Sequence, residues 1–121
     1  MDFKTNKPIY QQIIDFCFGN ILAGRWAGDS RIPSVRELAI QLAVNTHTVL
    51  KAYEYLQATD IIYPRRGLGF FLSADASEKV MKLRQREFFD TTLHELFEQM
   101  DMLGISIDDM VKHYEQYKAE K

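Results

Sequence analysis

The chain is poor in the residues that chemistry most often recruits. Its single cysteine, Cys17, excludes an internal disulfide, and it lies in an apolar stretch where a thiol packs as a small inert hydrophobe. Its histidines, His47, His94 and His113, are scattered. His94 and Glu98 stand one helical turn apart, a spacing that suits a metal, but no third ligand is placed and a solvated surface pair accounts for both. There is no nucleophile elbow, no phosphate-binding glycine loop and no cysteine cluster. These absences argue against an enzyme, a metal site or a bound cofactor. No apolar run approaches the roughly 18 residues of a membrane helix. The opening Met1-Asp2-Phe3-Lys4 lacks the charged-then-apolar pattern of an export signal, so a cytoplasmic protein with no membrane contact is expected. Internal repeats and low-complexity segments are also lacking.

What is present is an ordinary globular composition, 46% hydrophobic and 26% charged over 121 residues. That length suits one domain, or one small domain with an appendage. The net charge of −2 says less than its distribution. Residues 1–73 hold eight Lys and Arg against six Asp and Glu, whereas residues 74–121 hold seven against eleven. A slightly basic 1–73 domain and an acidic 74–121 tail are expected to have different jobs.

Periodicity and punctuation place the elements. A first helix covers about residues 8–23, with Pro8 in its first turn and Gly24 at its end. Ile9, Ile13, Phe16 and Ile21 lie near one side; Ile14, Cys17 and Phe18 widen the stripe. Trp26 is expected to pack in the connection, and Gly28-Asp29-Ser30 to turn. Ser34-x-x-Glu37 is a capping box that opens a second helix with Val35, Leu38, Ala39 and Leu42 inward. After the short Ala43-Val44-Asn45, Asn45 caps a third helix over 46–58. Val49, Ala52, Tyr53 and Leu56 point inward there, which leaves Thr46, His47, Leu50, Lys51 and Glu54 outward. Ile61-Ile62-Tyr63 and Gly69-Phe70-Phe71-Leu72 read as two strands, joined by a tip of Pro64-Arg65-Arg66-Gly67. A long helix over about 78–103 comes next, capped by Asp75-Ala76-Ser77 and stopped by Gly104. Phe89, Leu93, Leu96, Met100 and Leu103 form a coiled-coil-like seam along it, broadened by Phe88 and Phe97. Ser106 caps a last helix with Ile107, Met110, Val111, Tyr114 and Tyr117 on one face. The fold class is mainly α with a small β-hairpin: a winged helix-turn-helix followed by a two-helix segment.

The polar residues of this arrangement suit a DNA duplex. In a helix-turn-helix the second helix enters the major groove N-terminal end first. Thr46, His47 and Lys51 occupy the first turns of that helix and can bond to base edges. Leu50 beside them meets a thymine methyl or is simply incompletely buried, and both readings stay open. Arg36 shares the start of the second helix with backbone N–H groups and the positive dipole end, which attract phosphate; a solvated surface arginine is the plainer alternative. Arg65 and Arg66 are either solubilising loop charges or the tip of a wing reaching the backbone or minor groove. Gly67 and Gly69 would let that wing turn tightly and approach closely.

Over positions 8–72 these residues resemble the winged-helix DNA-binding domain of GntR-type bacterial transcription regulators. The resemblance lies in Pro8-Ile9-Tyr10-Gln11-Gln12-Ile13, Ile32-Pro33-Ser34-Val35-Arg36-Glu37-Leu38-Ala39, Val44-Asn45-x-x-Thr48-Val49-x-Lys51-Ala52-Tyr53-x-x-Leu56 and Arg65-Arg66-Gly67-x-Gly69-x-Phe71. The opening motif and short tail look like the YtrA-type subgroup. The resemblance implies a regulator, expected to be a repressor, that binds a two-fold double-stranded operator as a homodimer. It implies DNA contacts from Ser34, Arg36, Thr46, His47, Thr48 and Lys51 and from the wing at Arg66-Gly67. Asn45 and Arg65 complete the expected DNA-binding set. Two departures stand out: the family often has glycine where this chain has Ala43 and Asp60. Ala or Asp can take the left-handed conformation there for about 1 kcal/mol. Thr46-His47 varies within the family, so no operator sequence transfers.

Many relatives carry a large C-terminal effector domain. Two tail helices are too few to enclose a ligand pocket of roughly 300 Å³, and no effector is assigned. Left exposed, Phe88, Phe89, Leu93, Leu96, Phe97, Met100 and Leu103, with Met110 and Tyr114, would be an aggregation hazard. The tail is therefore expected to bury them against a second copy, as a dimerisation unit that spaces the two recognition helices. Packing back onto the chain's own winged helix is the alternative for the tail. For the whole chain, the alternative is a winged helix used for protein–protein assembly with no duplex bound.

Overall fold

Side-chain caps and left-handed residues set most element boundaries in the computed structural model, which describes residues 6–121. The opening Met1-Asp2-Phe3-Lys4 lies outside the described residues. The first helix, α1, spans Ile9–Leu22, with Pro8 standing just before it rather than in its first turn. α2 spans Val35–Leu42 and opens on the expected capping box. Ser34 Oγ accepts the Glu37 N–H at 3.0 Å, and the Glu37 carboxylate accepts the Ser34 N–H at 3.0 Å. α3 spans Thr46–Ala58, and Asn45 Oδ1 caps it by accepting the His47 N–H at 2.8 Å. Ala43 between the two helices has φ 55°, and Asp60 after α3 has φ 59°. Both positions where the family often has glycine are thus left-handed, filled here by residues that tolerate it less well.

β1 (Ile62–Arg65) pairs antiparallel with β2 (Gly69–Leu72), placing Ile62 opposite Leu72 and Arg65 opposite Gly69. The strand extends further than the sequence pattern predicts and takes in Pro64 and Arg65. The tip is therefore Arg66-Gly67-Leu68, not Pro64-Arg65-Arg66-Gly67. The reason is that β1 is an edge. The open side of β2 is taken by residues 30–32, where Ile32 N–H donates to the Phe70 carbonyl and Leu72 N–H to the Ser30 carbonyl, both at 3.0 Å. An edge strand tolerates a proline, which has no N–H to give.

Ile13, Cys17, Leu38, Val49, Ala52, Tyr53, Leu56 and Ile61 are fully buried and form the centre of the core. Ile13, Cys17 and Ile21, four residues apart, mark the inner line of α1. Ile9, predicted on that side, is 44% exposed, and Phe16 and Trp26 are half-buried. Burial pushes the Cys17 thiol up to about 12. The Tyr53 phenol is also raised, chiefly by burial, and its hydroxyl donates to the Pro33 carbonyl at 2.6 Å.

Packing divides the chain into a unit that ends at Lys82 and a unit of Leu83–Lys121. The first reaches past residue 73 because α4 (Ala76–Glu87) contributes to its core: Ala76 and Val80 are buried, and Lys79 Nζ donates to the Asp60 carbonyl at 2.9 Å. A π-helical segment, Phe88–Thr92, and α5, Leu93–Leu103, come after α4. The regular helix predicted over 78–103 is therefore interrupted. A π turn holds an extra residue and rotates the helix beyond it, so the line predicted through Phe88 and Phe89 does not continue straight onto α5. Gly104, at φ 67°, ends α5. α6 (Ile107–Ala119) opens on a second capping box, Ser106 with Asp109. Among the described residues, no helix is long and apolar enough to cross a membrane.

Candidate nucleic-acid interface

The burial of Val49, Ala52, Tyr53 and Leu56 fixes the rotation of α3. With that face inward, Thr46, His47, Lys51 and Glu54 are exposed, Leu50 is 40% exposed and Thr48 is half-buried. Two restraints hold α3 against its neighbours. The Tyr53 hydroxyl bonds Pro33 just ahead of α2, and the Tyr53 ring meets Phe70 of β2 edge-on at 5.4 Å. One core tyrosine thus ties the recognition helix both to the helix before it and to the hairpin.

Arg36 is exposed in the first turn of α2. Ser34 Oγ and Asn45 Oδ1, from the expected DNA-binding set, are engaged as caps, so both residues shape the interface through the helix starts they hold. Glu37 is held below the usual carboxylate range by hydrogen bonding to Ser34 and then by the Arg31 guanidinium. It therefore stays anionic beside a helix start, where negative charge is favoured.

The wing turn is closed by the Leu68 N–H donating to the Arg65 carbonyl at 2.9 Å, with Gly67 at φ 77°. Gly69 has φ 104°, a conformation that favours glycine, and a Cβ there would stand 3.3 Å from Arg31 Nε, so the Arg31 side chain would have to shift slightly. Arg66 and Gly67 lie at the tip, as expected. Arg65 lies on β1, its guanidinium 5.2 Å from the centre of the Phe71 ring, which also stacks on Tyr63 at 6.0 Å.

Arg31, which no sequence motif marks, links two parts of the candidate interface. Its Nε donates to the Leu68 carbonyl at 3.1 Å and its Nη2 to the Glu37 carboxylate at 3.1 Å. It is a strut from the wing turn to the start of α2. Tyr10 is a second residue that the sequence does not mark as part of the site: Lys51 Nζ lies 3.9 Å from its ring centre. Leu68, at the wing tip, is 59% exposed. The first unit thus carries Arg36, Thr46, His47, Lys51, Arg65, Arg66 and Gly67 exposed, and Thr48 half-buried, on the starts of α2 and α3 and on the hairpin. Such a surface offers donors and cations to a polyanion and reach to base edges.

In the second unit, α5 and α6 flank an apolar groove of about 260 Å³. It is lined by Leu93, Leu96, Phe97, Met100, Met110 and Tyr114 from the expected set, together with Ile107 and Val111. Phe88 and Phe89 meet edge-to-face at 5.6 Å within the π segment, and Leu103 is largely exposed; none of the three lines the groove. His94 packs edge-on to Phe97 at 6.4 Å. Among the described residues, no group of three His, Cys, Asp or Glu is placed to hold a metal.

The family profile described as bacterial regulatory proteins, gntR family, matches residues 9–72. The chain is similar to the HTH-type transcriptional regulator YhcF of Bacillus subtilis, 34% identical over 110 residues, which are 91% of this chain and 89% of that one. It is similar to the transcriptional repressor YtrA of the same organism, 37% identical over 82 residues, 68% of this chain and 63% of that one. A solved GntR-family regulator from Bacteroides thetaiotaomicron superposes with a TM-score of 0.83 at 39% identity, covering 93% of this chain and 98% of that one. The DNA-binding domain of AraR, solved in complex with its operator ORR3, superposes with a TM-score of 0.54 at 29% identity, covering 60% of this chain and 88% of that one.

Proposed function

The chain belongs to the GntR family of bacterial transcription regulators, of the YtrA type, and binds DNA through its winged helix; from that premise we propose that it is a cytoplasmic repressor acting as a homodimer on a two-fold operator. The observation that carries this reading is the exposed start of α3 in the same unit as the exposed Arg36 and Arg66, with the wing turn and the start of α2 joined through Arg31. Thr46, His47 and Lys51 read bases in the major groove. Arg36 with the N–H groups at the start of α2, and Arg66 at the wing, hold phosphate. Ser34, Asn45 and Thr48 support that face, and Arg65 stiffens the wing that carries Arg66.

The dimer reading rests on the groove between α5 and α6. Its floor is apolar, and Phe97, Ile107, Val111 and Tyr114 on its walls are each more than 40% exposed. Water against such a surface is costly, and a second copy offers the same surface in return. The repressor assignment rests on the similarity to YtrA, a transcriptional repressor. A winged helix devoted only to protein–protein assembly is not favoured by membership of this family.

In vitro selection of duplexes bound by the full chain tests the reading. The expected outcome is enrichment of an inverted repeat, with affinity falling steeply as salt rises because phosphate contacts release counterions. No enrichment over random duplex would sink it.

A further inference from the structure

Lys51 is an interface cation seated on an aromatic ring. Its Nζ sits 3.9 Å from the centre of the Tyr10 ring, although Lys51 projects from α3 and Tyr10 from the first turn of α1. Tyr10 is half-buried, and Gln11 Nε2 donates to its hydroxyl at 3.4 Å. The half-buried ring has few rotamers open to it, whereas a lysine stem on its own has many. An aromatic face attracts an ammonium through its quadrupole and leaves the charge intact. It also leaves the N–H donors turned away from the ring available to a ligand. A carboxylate in the same place would cancel the charge and occupy a donor, as Glu37 does for Arg31 at 3.1 Å.

We infer that Tyr10 is a positioning residue for operator recognition: it preorganises the Lys51 ammonium on the exposed face of α3, so that α1 takes part in DNA reading through a side chain of another helix. The inference rests on the reading of Lys51 as a DNA contact. Part of the ordering cost of Lys51 is met in the free protein rather than on binding.

A double-mutant cycle on the full chain tests it, with affinity read by fluorescence anisotropy on the selected operator duplex. Lys51→Met is expected to weaken binding about tenfold. Tyr10→Leu is expected to weaken it about two- to fivefold and Tyr10→Phe to leave it nearly unchanged, since phenylalanine keeps the ring face. In the Lys51→Met background, Tyr10→Leu is expected to have no further effect. If Lys51→Met weakens binding but Tyr10→Leu then weakens it equally in both backgrounds, Tyr10 acts only through packing and the inference is wrong. If Lys51→Met binds as wild type, the reading of Lys51 fails and the inference with it. Pentafluorophenylalanine at position 10 keeps the shape of the ring and reverses its quadrupole, so it carries the test should Tyr10→Leu fail to fold. Wild-type affinity there would overturn the inference, and a loss of about two- to fivefold would support it.

Discussion

Arg31 touches two separate parts of the candidate interface with one guanidinium. It joins the wing turn at Leu68 to Glu37 at the start of α2. Its ion pair is exposed, so its share of stability is small, on the order of 0–1 kcal/mol. Arg31→Ala should therefore shift the melting temperature little and weaken operator binding several-fold, because an unstrutted wing must be ordered on binding; equal affinities by anisotropy would refute the strut. Arg36→Ala should weaken binding to operator and random duplex alike, whereas His47→Ala should change which duplexes win a selection, each true base contact being worth about 1–3 kcal/mol of discrimination. Arg36 was legible because a capping box fixes its place on a helix start. Arg31 was not, since one partner is a backbone carbonyl 37 residues away, which leaves no mark in a sequence pattern. Tyr10 was legible as part of a family motif and not as a platform, because its partner Lys51 becomes its neighbour only when α1 packs on α3.

The helices were the most legible elements, since apolar spacing and caps say where a helix starts and which face is inward. The left-handed turn between α2 and α3 was legible too. Ala43 sits at φ 55°, so Ala43→Gly should raise stability by roughly 0.5–1 kcal/mol in denaturant melts by relieving Cβ strain. The capping boxes predict a pH response. Hydrogen bonding to Ser34 lowers Glu37, and hydrogen bonding to Ser106 lowers Asp109. A depressed folded value means that the stabilisation is complete above the unfolded carboxylate range, near pH ~4.3, and is lost as pH falls through the lowered folded values. Melting temperature should therefore fall with acid below that range, and Ser34→Ala should flatten part of the fall. Two features escaped the pattern. Pro64 hid the extension of β1, because edge status depends on residues 30–32 pairing elsewhere. The π segment Phe88–Thr92 has no compositional signature, so the three-and-four spacing read straight through it.

At the scale of the whole molecule, an acidic chain binds a polyanion because its charge is divided between two units. The salt dependence of binding should track the cations of the first unit and be unaffected when acidic residues of the tail are neutralised. The proposed dimer places a stronger demand on the second unit. Phe97→Asp puts a charge on the wall of the apolar groove. It should halve the solution mass at micromolar concentration and cost at least about tenfold in affinity for a full inverted repeat, with half-site affinity unchanged. A full-sized mass for that variant would place the interface elsewhere. The core of the first unit also carries a timepiece. Cys17 is fully buried and its thiol is pushed up to about 12, so an alkylating reagent cannot reach it, or find a thiolate, while the unit is closed. Labelling then records each opening of the winged helix, and operator DNA, which holds the closed form by mass action, should slow that clock in proportion to how tightly it is bound.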